Sequence, residues 1–568
     1  MNVKIALCQI NTIVGDLQYN FERICGFIEE AKAKGAKIIC FPELSLLGYP
    51  PEDILFYPYI LEKQFDYLER IKKYSEDSLI VIGFANFDDY LYNSAAVFCQ
   101  NQMFVYNKIN LPNYGVFDED RYFKKGNYSL IIDANKIRIG FTICEDLWYP
   151  NEPILSLVNN DVDIVVNISA SPYHVLKPKL REEIFKVRAI DYSVFILFCN
   201  SVGGQDELIF DGTSSIIKND GKTLFRAPSF KEKILIGSIS VEDLKLSKLN
   251  PLRKNQPKSN LECKIINTSI DLLSKDYTED DISDFYDFEE EIFNALVLGT
   301  RDYIFKNKFN KVLVAMSGGI DSSLVSCIAA EAVGHKNVLG VSMPSIFSSS
   351  HSVEDAQILA KNLGIDFVII PISKIYDTFI NSLDDVYSKF GNKEFTVAEE
   401  NLQARIRGNI IMTISNKFNY LVLACGNKSE MSMGYATLYG DLAGGFAPIK
   451  DIYKSDVYRI ARWYNTKKNV IPERVFIKAP SAELRPNQTD QDTLPPYDIL
   501  DKILKLYLEN NYSPEYISQI CNLDKEFVKK VIKQVEISEY KRRQAPPGIK
   551  VSVRAFGKDR RLPITKNI

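Results

Sequence analysis

Three side chains with complementary chemistry each follow an apolar stretch early in the chain: Glu43, Lys108 and Cys144. A carboxylate, an amine and a thiol could together hydrolyse an amide. A cysteine attacks as its thiolate, and a free thiol with a pKa of about 8.5 is mostly protonated at pH 7, so it needs a nearby base or positive charge. Glu43 and Lys108 are candidates for those roles. Taken alone, Cys144 fits a buried structural thiol as well as a nucleophile.

A glycine-rich loop lies much later in the sequence, where residues 317–323 follow the apolar run 312–316. The pattern predicts a buried strand, a tight loop and a helix that begins near Leu324. Small residues with hydroxyl groups at a helix N-terminus suit a phosphate. Because the loop has no lysine, it suits a free pyrophosphate better than a β,γ-phosphate pair, and Asp321 would supply a metal ligand. The two sites together suggest that ammonia is released at one and used at the other.

The bulk composition favours a multidomain protein that acts on small molecules. At 568 residues the chain exceeds the size of one hydrophobic core, so two or more domains are expected. Its 69 basic and 73 acidic residues give a net charge of −4, which provides no bulk positive field for nucleic acid or an anionic membrane. No apolar run of about 18 residues is present, so a cytoplasmic protein is expected. Ten scattered cysteines and three histidines favour neither a zinc site nor a disulfide framework.

Alternating strand and helix patterns predict an α/β domain over residues 1–240, in which helices cover the strands. Strands are expected at 4–10, 36–41, 79–84, 94–98, 137–143, 164–168, 195–200 and 214–217, and helices at 20–34 and 179–193. Residues 241–287 are mixed in character and rich in Lys, Asn, Ser and Asp, which predicts a linker.

A second α/β domain is predicted over residues 288–568. Apolar runs at 312–316, 338–343, 367–371 and 420–424 are separated by helical patterns, as in a doubly wound parallel sheet. Such sheets bind ligands at the carboxyl ends of their strands, where Ser317 and Gly426 fall. From about residue 495 to residue 540 the pattern is again helical.

The first domain resembles a known family in three segments. Phe41-Pro42-Glu43, the seven residues from Lys108 to Tyr114, and Cys144-Glu145-Asp146 are similar in order and spacing to the nitrilase-like glutaminase domain. The resemblance covers roughly residues 1–240 and implies a four-layer αββα sandwich. It implies that Glu43 is the general base, Lys108 stabilises the tetrahedral intermediate, Cys144 is the nucleophile and Glu119 orients the lysine. It also implies glutamine-binding roles for Tyr114, Ser171 and Lys177.

The second domain resembles the N-type ATP pyrophosphatases, which cleave ATP between its α- and β-phosphates. The Ser-Gly-Gly-Ile-Asp-Ser pattern at 317–322 is similar to their PP-loop. Four further segments narrow the resemblance to the NAD synthetase family in its glutamine-dependent, two-domain form: residues 400–407, 426–430, 439–441 and 541–544. This resemblance spans nearly the whole chain and implies a Rossmann-like PP-loop domain with a doubly wound parallel sheet.

The resemblance carries binding roles over position by position. The residues implied to bind ATP are Ser317, Gly318, Gly319, Asp321, Ser322, Cys425, Lys454 and Ser481. Those implied to face the dinucleotide deamido-NAD are Asn401, Glu430, Asp441 and Lys541. Asp321 and Glu430 are implied to hold Mg²⁺, which prefers carboxylates with bridging phosphates. One position departs from the family pattern, because Cys425 stands where threonine is usual.

The implied reaction converts deamido-NAD, ATP and glutamine to NAD, AMP, pyrophosphate and glutamate. Carboxylates resist attack by ammonia because oxide is a poor leaving group, and adenylation of the nicotinate carboxylate supplies AMP instead. Ammonia must arrive unprotonated, which favours an enclosed route between domains. A homo-oligomer is also expected.

The sequence leaves two alternatives. One is another PP-loop amidotransferase, such as an enzyme that makes GMP or asparagine, although those would be expected to carry a different glutaminase module. The other is a pseudoenzyme that serves as a binding scaffold. A pseudoenzyme should lack at least one reactive group, whereas Glu43, Lys108 and Cys144 are all in place.

Overall fold

The computed structural model describes residues 1–278, 281–391 and 394–566. The described residues form two compact units. The first comprises Met1–Gln205 and Ile209–Tyr286, and the second comprises Asp206–Leu208 and the described part of Asp287–Ile568. Within these described ranges, none of the helices combines the length and the apolar character that crossing a membrane requires.

The elements up to residue 286 are mostly strands. The strands are β1 (Asn2–Gln9), β2 (Ile38–Cys40), β3 (Leu79–Phe87), β4 (Leu91–Cys99), β5 (Gln102–Asn107), β6 (Tyr128–Ala134), β7 (Ile137–Ile143), β8 (Ile164–Ser169), β9 (Phe195–Asn200), β10 (Val202–Gln205), β11 (Leu208–Asp211), β12 (Ser215–Ile217), β13 (Thr223–Arg226), β14 (Lys233–Ser240), β15 (Glu262–Thr268), β16 (Leu273–Ser274) and β17 (Asp281–Ile282). The helices are α1 (Leu17–Ala33), α2 (Pro58–Lys72), α3 (Ile154–Asn159), α4 (Lys177–Tyr192), α5 (Val241–Ser247) and α6 (Pro251–Lys254).

Two sheets face each other in the first unit. In the described part of the chain one sheet has the strand order β14-β1-β2-β3-β4-β5, with β16 paired to β1. The other has the order β15-β6-β7-β8-β9-β12-β13-β17. Strands β1, β2 and β3 run parallel to one another, as do β7, β8 and β9. The carboxyl ends of parallel neighbours meet at one edge, so residues that follow β2 and β7 are available for a site there.

The core lies between the two sheets. Val81 and Val97 of the first sheet and Val166 and Leu197 of the second belong to one buried cluster. Burying such a side chain contributes about 1.5–3 kcal/mol relative to leaving it exposed. On the outer faces, α1 and α2 contact the first sheet, and Phe185 of α4 packs among apolar residues of the second. The layers run helix, sheet, sheet, helix, which confirms the predicted αββα sandwich.

The segment predicted to be a linker, residues 241–287, contributes strands to the first unit. In this segment β15 pairs in parallel with β6, β16 pairs with β1, and β17 pairs with β13. Four residues of β15 are partly buried and the other three are exposed, so none is fully buried. A strand at the edge of a sheet has neighbours on one side only, and polar residues protect its open side. That polar character is why the segment has the composition of a linker.

The second unit contains a four-stranded sheet and most of the helices. Its strands are β18 (Val312–Ala315), β19 (Val338–Ser342), β20 (Asp366–Ile369) and β21 (Leu421–Leu423). Its helices are α7 (Phe288–Lys306), α8 (Ile320–Val333), α9 (Ser350–Leu363), α10 (Ser373–Phe390), α11 (Val397–Phe418), α12 (Lys428–Met433), α13 (Lys454–Lys468), α14 (Glu473–Ile477), α15 (Tyr497–Leu508), α16 (Pro514–Cys521), α17 (Lys525–Ile537) and α18 (Glu539–Arg542).

The sheet of the second unit has the order β20-β19-β18-β21 in the described residues, and every pairing is parallel. The order reverses beside β18, so loops after β18 and β21 diverge to opposite sides and leave a crevice between them. Helix α11 packs Ile406 and Ile411 against Leu313 and Val422 of the sheet. The predicted doubly wound parallel fold is confirmed.

Helix α8 begins at Ile320, earlier than the predicted start near Leu324. The turn before it depends on Gly318, whose φ of 79° is left-handed and whose added Cβ would lie 2.2 Å from the carbonyl oxygen of Ser352. Because only glycine fits, the chain turns within a few residues, and Gly319 becomes the N-cap. Asp321 therefore lies in the first turn of α8 rather than in the loop.

Candidate functional site

Three strand ends bring the predicted amide-splitting residues together in the first unit. Glu43 follows β2, Lys108 follows β5, and Cys144 follows β7. Strands β2 and β5 belong to one sheet and β7 to the other, so the site forms where the two sheets meet. The side chains of Glu43, Lys108 and Cys144 are at most 3% exposed, and Glu119 is 4% exposed. The site is therefore shielded from bulk water.

Lys108 lies between two carboxylates. Its Nζ donates to Glu43 Oε1 at 2.7 Å and to Glu119 Oε1 at 2.9 Å, and the Tyr49 hydroxyl also donates to Glu119 Oε1 at 3.0 Å. Burial lowers the pKa of Lys108, but Glu119 and Glu43 outweigh it and raise that pKa well above its usual value. Burial raises the pKa of Glu119 to about 7, against the opposing effect of Lys108. The lysine is held as an ammonium ion.

The carboxylate of Glu43 is fixed at both oxygens. Asn93 Nδ2 donates to Oε1 at 2.7 Å, and the backbone N–H of Ala170 donates to Oε2 at 2.8 Å. The loop that carries Glu43 lies directly against β3, where a Cβ on Gly83 would lie 2.2 Å from the Leu44 nitrogen. A glycine at that position is needed for the loop to approach so closely.

Cys144 lies at a strained turn between β7 and a 3-10 helix, Cys144–Leu147. Its φ of 43° is left-handed, a conformation that cysteine rarely adopts and that recurs at functional sites. Burial and then Glu43 raise the pKa of the thiol well above its usual value, while Lys108 opposes them. The sulfur is therefore protonated at rest and must lose its proton when it attacks.

Of the predicted glutamine-binding residues, Tyr114 contacts this turn, and Ser171 directly follows Ala170, whose N–H donates to Glu43. The Tyr114 hydroxyl donates to Glu145 Oε1 at 2.9 Å, and Glu145 directly follows Cys144 in the chain. Ser171 is buried, and its backbone N–H donates to Asn200 Oδ1 at 3.0 Å. The ring of Tyr114 is 54% exposed. This tyrosine can therefore meet an incoming ligand on one side while its hydroxyl remains tied to Glu145.

The third predicted glutamine-binding residue, Lys177, opens helix α4. Its Nζ donates to the carbonyl of Pro172 at 2.7 Å and lies 5.7 Å from the centre of the Trp148 ring. Trp148 in turn contacts Phe185 edge-on, with ring centroids 6.1 Å apart. Trp148 therefore packs against the helical layer on one side and meets the ammonium of Lys177 on the other.

The second unit holds a cavity of about 310 Å³ at the carboxyl ends of β18 and β21, within the size range of small-molecule sites. All the residues predicted to bind ATP line it: Ser317, Gly318, Gly319, Asp321, Ser322, Cys425, Lys454 and Ser481. In the loop, Ser317 Oγ accepts from the N–H of Gly319 at 3.2 Å. The cavity therefore opens onto the N-terminus of α8, where backbone N–H groups and the helix dipole favour an anion.

Lys454 joins the two carboxylates predicted to hold a metal. Its Nζ contacts Asp321 Oδ2 and lies 3.3 Å from Glu430 Oε1, while Asn427 Nδ2 donates to Asp321 Oδ1 at 2.9 Å. Burial raises the pKa of Glu430 to about 8, against the effect of Lys454. The pKa of Lys454 is itself raised, because Asp321 and Glu430 outweigh its burial.

These residues fit a magnesium ion that arrives with a nucleotide. No group of three or more metal-binding side chains occurs in the part of the chain that the structure describes. Mg²⁺ does not require one, because it is commonly held by one or two carboxylates while substrate phosphates and water complete its octahedron. Asp321 and Glu430 share one ammonium and line one cavity, so both could reach the same ion.

The residues predicted to face the dinucleotide divide into two groups. Glu430 and Asp441 line the cavity, whereas Asn401 and Lys541 are not part of its lining. Asn401 Oδ1 accepts from the Thr437 hydroxyl at 2.7 Å, and Lys541 Nζ donates to the Gly434 carbonyl at 2.7 Å. Both therefore support the segment 434–437, which borders the cavity, rather than the cavity itself.

One segment of the cavity was predicted from sequence only at Ser481, by resemblance to the family. Residues 478–484 line it, and Lys478 Nζ pairs with Glu483 Oε1 at 2.6 Å. Glu483 also accepts from the Ser352 hydroxyl at 2.8 Å, which ties the segment to the start of α9. The Pro and Ser residues of this stretch mark a loop, but no periodicity or motif indicates which strands it would meet.

Comparison with known proteins matches each half of the chain to a family. A family model described as carbon-nitrogen hydrolase matches residues 4–248, and one described as NAD synthase matches residues 292–545. A glutamine-dependent NAD(+) synthetase from Thermotoga maritima is 46% identical over 570 residues, which cover 99% of this chain and 98% of that protein. One from Aquifex aeolicus is 48% identical and covers 99% of both chains. The chain belongs to the glutamine-dependent NAD(+) synthetase family.

A solved structure of a glutamine-dependent NAD(+) synthetase from Acinetobacter baumannii, in complex with ADP, is 39% identical to this chain. It has a TM-score of 0.75, covers 99% of this chain and is itself 98% covered. The family membership implied by the sequence motifs is thereby confirmed, together with the enzyme class. Glutamine and deamido-NAD fit the same family as substrates.

Proposed function

We propose that this chain converts deamido-NAD to NAD, with ATP to activate the substrate and glutamine to supply the nitrogen. The observation that supports this most directly is the presence of two separate reactive sites on one chain. One is the buried set of Glu43, Lys108 and Cys144, and the other is the cavity at the glycine-rich loop. Together with family membership, the pair of sites disfavours the scaffold alternative, since each retains its reactive groups.

In the glutaminase half-reaction, Glu43 takes the proton of Cys144 as the sulfur attacks the glutamine amide carbon. The resulting oxyanion is stabilised by the ammonium of Lys108, which Glu119 and Glu43 keep charged. The proton then passes to the departing nitrogen, ammonia leaves, and water hydrolyses the thioester to glutamate. Because burial and Glu43 raise the pKa of the Cys144 thiol, its attack requires a base, and Glu43 is the proposed one.

In the synthetase half-reaction, an oxygen of the nicotinate carboxylate attacks the α-phosphorus of ATP and pyrophosphate leaves. The N–H groups at the start of α8 and the hydroxyls of Ser317 and Ser322 would bind the departing phosphates. Asp321 and Glu430 would hold Mg²⁺, which when bound neutralises phosphate charge. Ammonia then attacks the acyl carbon and AMP departs, so the products are NAD, AMP and pyrophosphate.

Product analysis tests this function directly. With glutamine, ATP and deamido-NAD, the expected products are AMP and pyrophosphate, because the loop has no lysine for a γ-phosphate. Oxygen-18 placed in the nicotinate carboxylate should appear in AMP, as measured by mass spectrometry. Formation of ADP and phosphate, or unlabelled AMP, would contradict the proposed adenylate.

Cys425 provides a finer test of the ATP site. Its sulfur lines the cavity and makes one long contact, to the carbonyl of Leu423 at 3.8 Å. Cys425→Thr should be active, and the apparent KM for ATP should fall by about two- to tenfold, since a hydroxyl bond contributes about 0.5–1.5 kcal/mol. Steady-state kinetics with varied ATP measures this. A large loss of activity would show that packing of the thiol governs the position.

Self-association and a cytoplasmic location stay predictions. Helix α10 supports self-association, because none of its residues is fully buried in this chain and it exposes Phe379, Val386 and Phe390. Sedimentation velocity would detect species heavier than one 64.7 kDa chain.

A further inference from the structure

Asp146 is a fully buried carboxylate that has no role in the chemistry described above. Its Oδ2 accepts from the N–H of Ile143 at 3.0 Å and from the Tyr106 hydroxyl at 2.7 Å. Its Oδ1 accepts from the N–H groups of Ile109 at 3.1 Å and Asn110 at 2.8 Å. A carboxylate offers about four acceptor sites, so those of Asp146 are filled by protein donors.

The backbone donors to Asp146 lie beside Lys108 and Cys144 in the chain. Ile109 and Asn110 directly follow Lys108, and Ile143 directly precedes Cys144. Lys108 extends from β5 and Cys144 from β7, and these strands belong to different sheets. Ladder hydrogen bonds within a sheet therefore do not fix one of these residues against the other. The Asp146 carboxylate bridges the two sheets at this point.

We propose that Asp146 is a positioning residue for glutamine hydrolysis, which sets the Lys108 ammonium against the Cys144 sulfur by holding the ends of β5 and β7 together. The inference rests on the proposed roles of Lys108 and Cys144. Hydrogen bonds to an ionised acceptor are short and strong, so they suit a link that must hold a distance. A displacement of about 1 Å in a catalytic group can cost about 100-fold in rate.

Asp146→Asn tests the proposal, because it keeps the volume and replaces one acceptor oxygen by an N–H₂ group that faces other donors. In glutamine-driven synthesis we expect kcat to fall about 100-fold, while KM for glutamine changes less than about threefold. Ammonium-driven synthesis should be unchanged. A general loss of folded protein would lower the rate with glutamine and with ammonium alike. A fall in kcat with glutamine alone therefore indicates a positioning role.

Tyr106→Phe keeps the proposal testable should Asp146→Asn fail to fold. It removes one donor to Asp146 and leaves the aromatic ring in the core. We expect kcat with glutamine to fall by about three- to tenfold and the ammonium-driven rate to stay constant. An unchanged kcat in this folded variant would overturn the proposal.

Asp163→Asn is the matched control. Asp163 is 1% exposed, accepts from the N–H of Arg138 at 2.9 Å and pairs with Lys248 at 3.0 Å. It precedes β8, so it lies at the end of the sheet opposite to Cys144, which follows the parallel strand β7. Its replacement should lower thermal stability without lowering kcat. The proposal is overturned if Asp146→Asn retains kcat within about twofold, or if Asp163→Asn lowers kcat as much. Failure of the unmodified chain to use glutamine would instead refute the proposed function, and this inference with it.

Discussion

Replacing Cys144 by alanine should lower glutamine-driven NAD formation by at least about 10³-fold and leave ammonium-driven formation intact. The change removes the proposed nucleophile, whereas the ATP cavity is built from residues of the second unit. Parallel assays with glutamine and with ammonium chloride, each followed by NAD formation, make the measurement.

Cys25→Ala is the control for this prediction. Cys25 lies on α1 in the same unit, is only partly buried and has no part in the proposed site, so both activities should persist in the variant. If the folded Cys144→Ala protein still uses glutamine, Cys144 is not the nucleophile. Loss of both activities in a folded protein would contradict the separation of the two sites.

Asp321→Ala should lower the rate of synthesis from either nitrogen source by about 10³-fold or more. This loss corresponds to roughly 4 kcal/mol of transition-state stabilisation. The variant loses a proposed Mg²⁺ ligand and leaves Lys454 paired with Glu430 alone. Without that ligand the phosphate charge is poorly neutralised as pyrophosphate departs. Rates with saturating ammonium and with glutamine would be compared at several Mg²⁺ concentrations.

The matched control for Asp321 is Asp366→Ala. Asp366 is exposed at the start of β20, in the sheet of the second unit. Its loss should therefore leave both rates within about twofold of the unmodified chain. Retention of synthesis by Asp321→Ala would show that this carboxylate does not hold the ion that the reaction needs.

Buried parallel strands were the most predictable part of the fold. The runs at β18, β19 and β21 are short and apolar because helices cover both faces of such a sheet. Edge strands were harder, since β15 contains only partly buried and exposed residues and has the composition of a linker. The early start of α8 was also missed, because it depends on how closely Gly318 approaches Ser352. That approach depends on residues distant in sequence.

Some residues of the candidate sites could also be predicted from sequence, and others could not. Glu43, Lys108 and Cys144 could be found because each follows a strand. The four donors to Asp146 could not be found, since they come from two sheets and three of them are backbone N–H groups, which no residue type reveals. Likewise, only Ser481 of the segment 478–484 was predicted, by resemblance, and the place of its neighbours follows from contacts with the start of α9.

The pairing of β15 with β6 determines where the glutaminase half can be cut from the chain. A fragment that ends at residue 240 would lack β15 and leave β6 as an open edge, with a row of unpaired N–H and C=O groups beside the buried side chains of Ile131 and Ile132. Such an edge recruits strands from other molecules and promotes aggregation. A fragment that extends to Tyr286 keeps β15, β16 and β17 and with them the two large sheets of the unit. The shorter fragment should therefore precipitate where the longer one remains in solution.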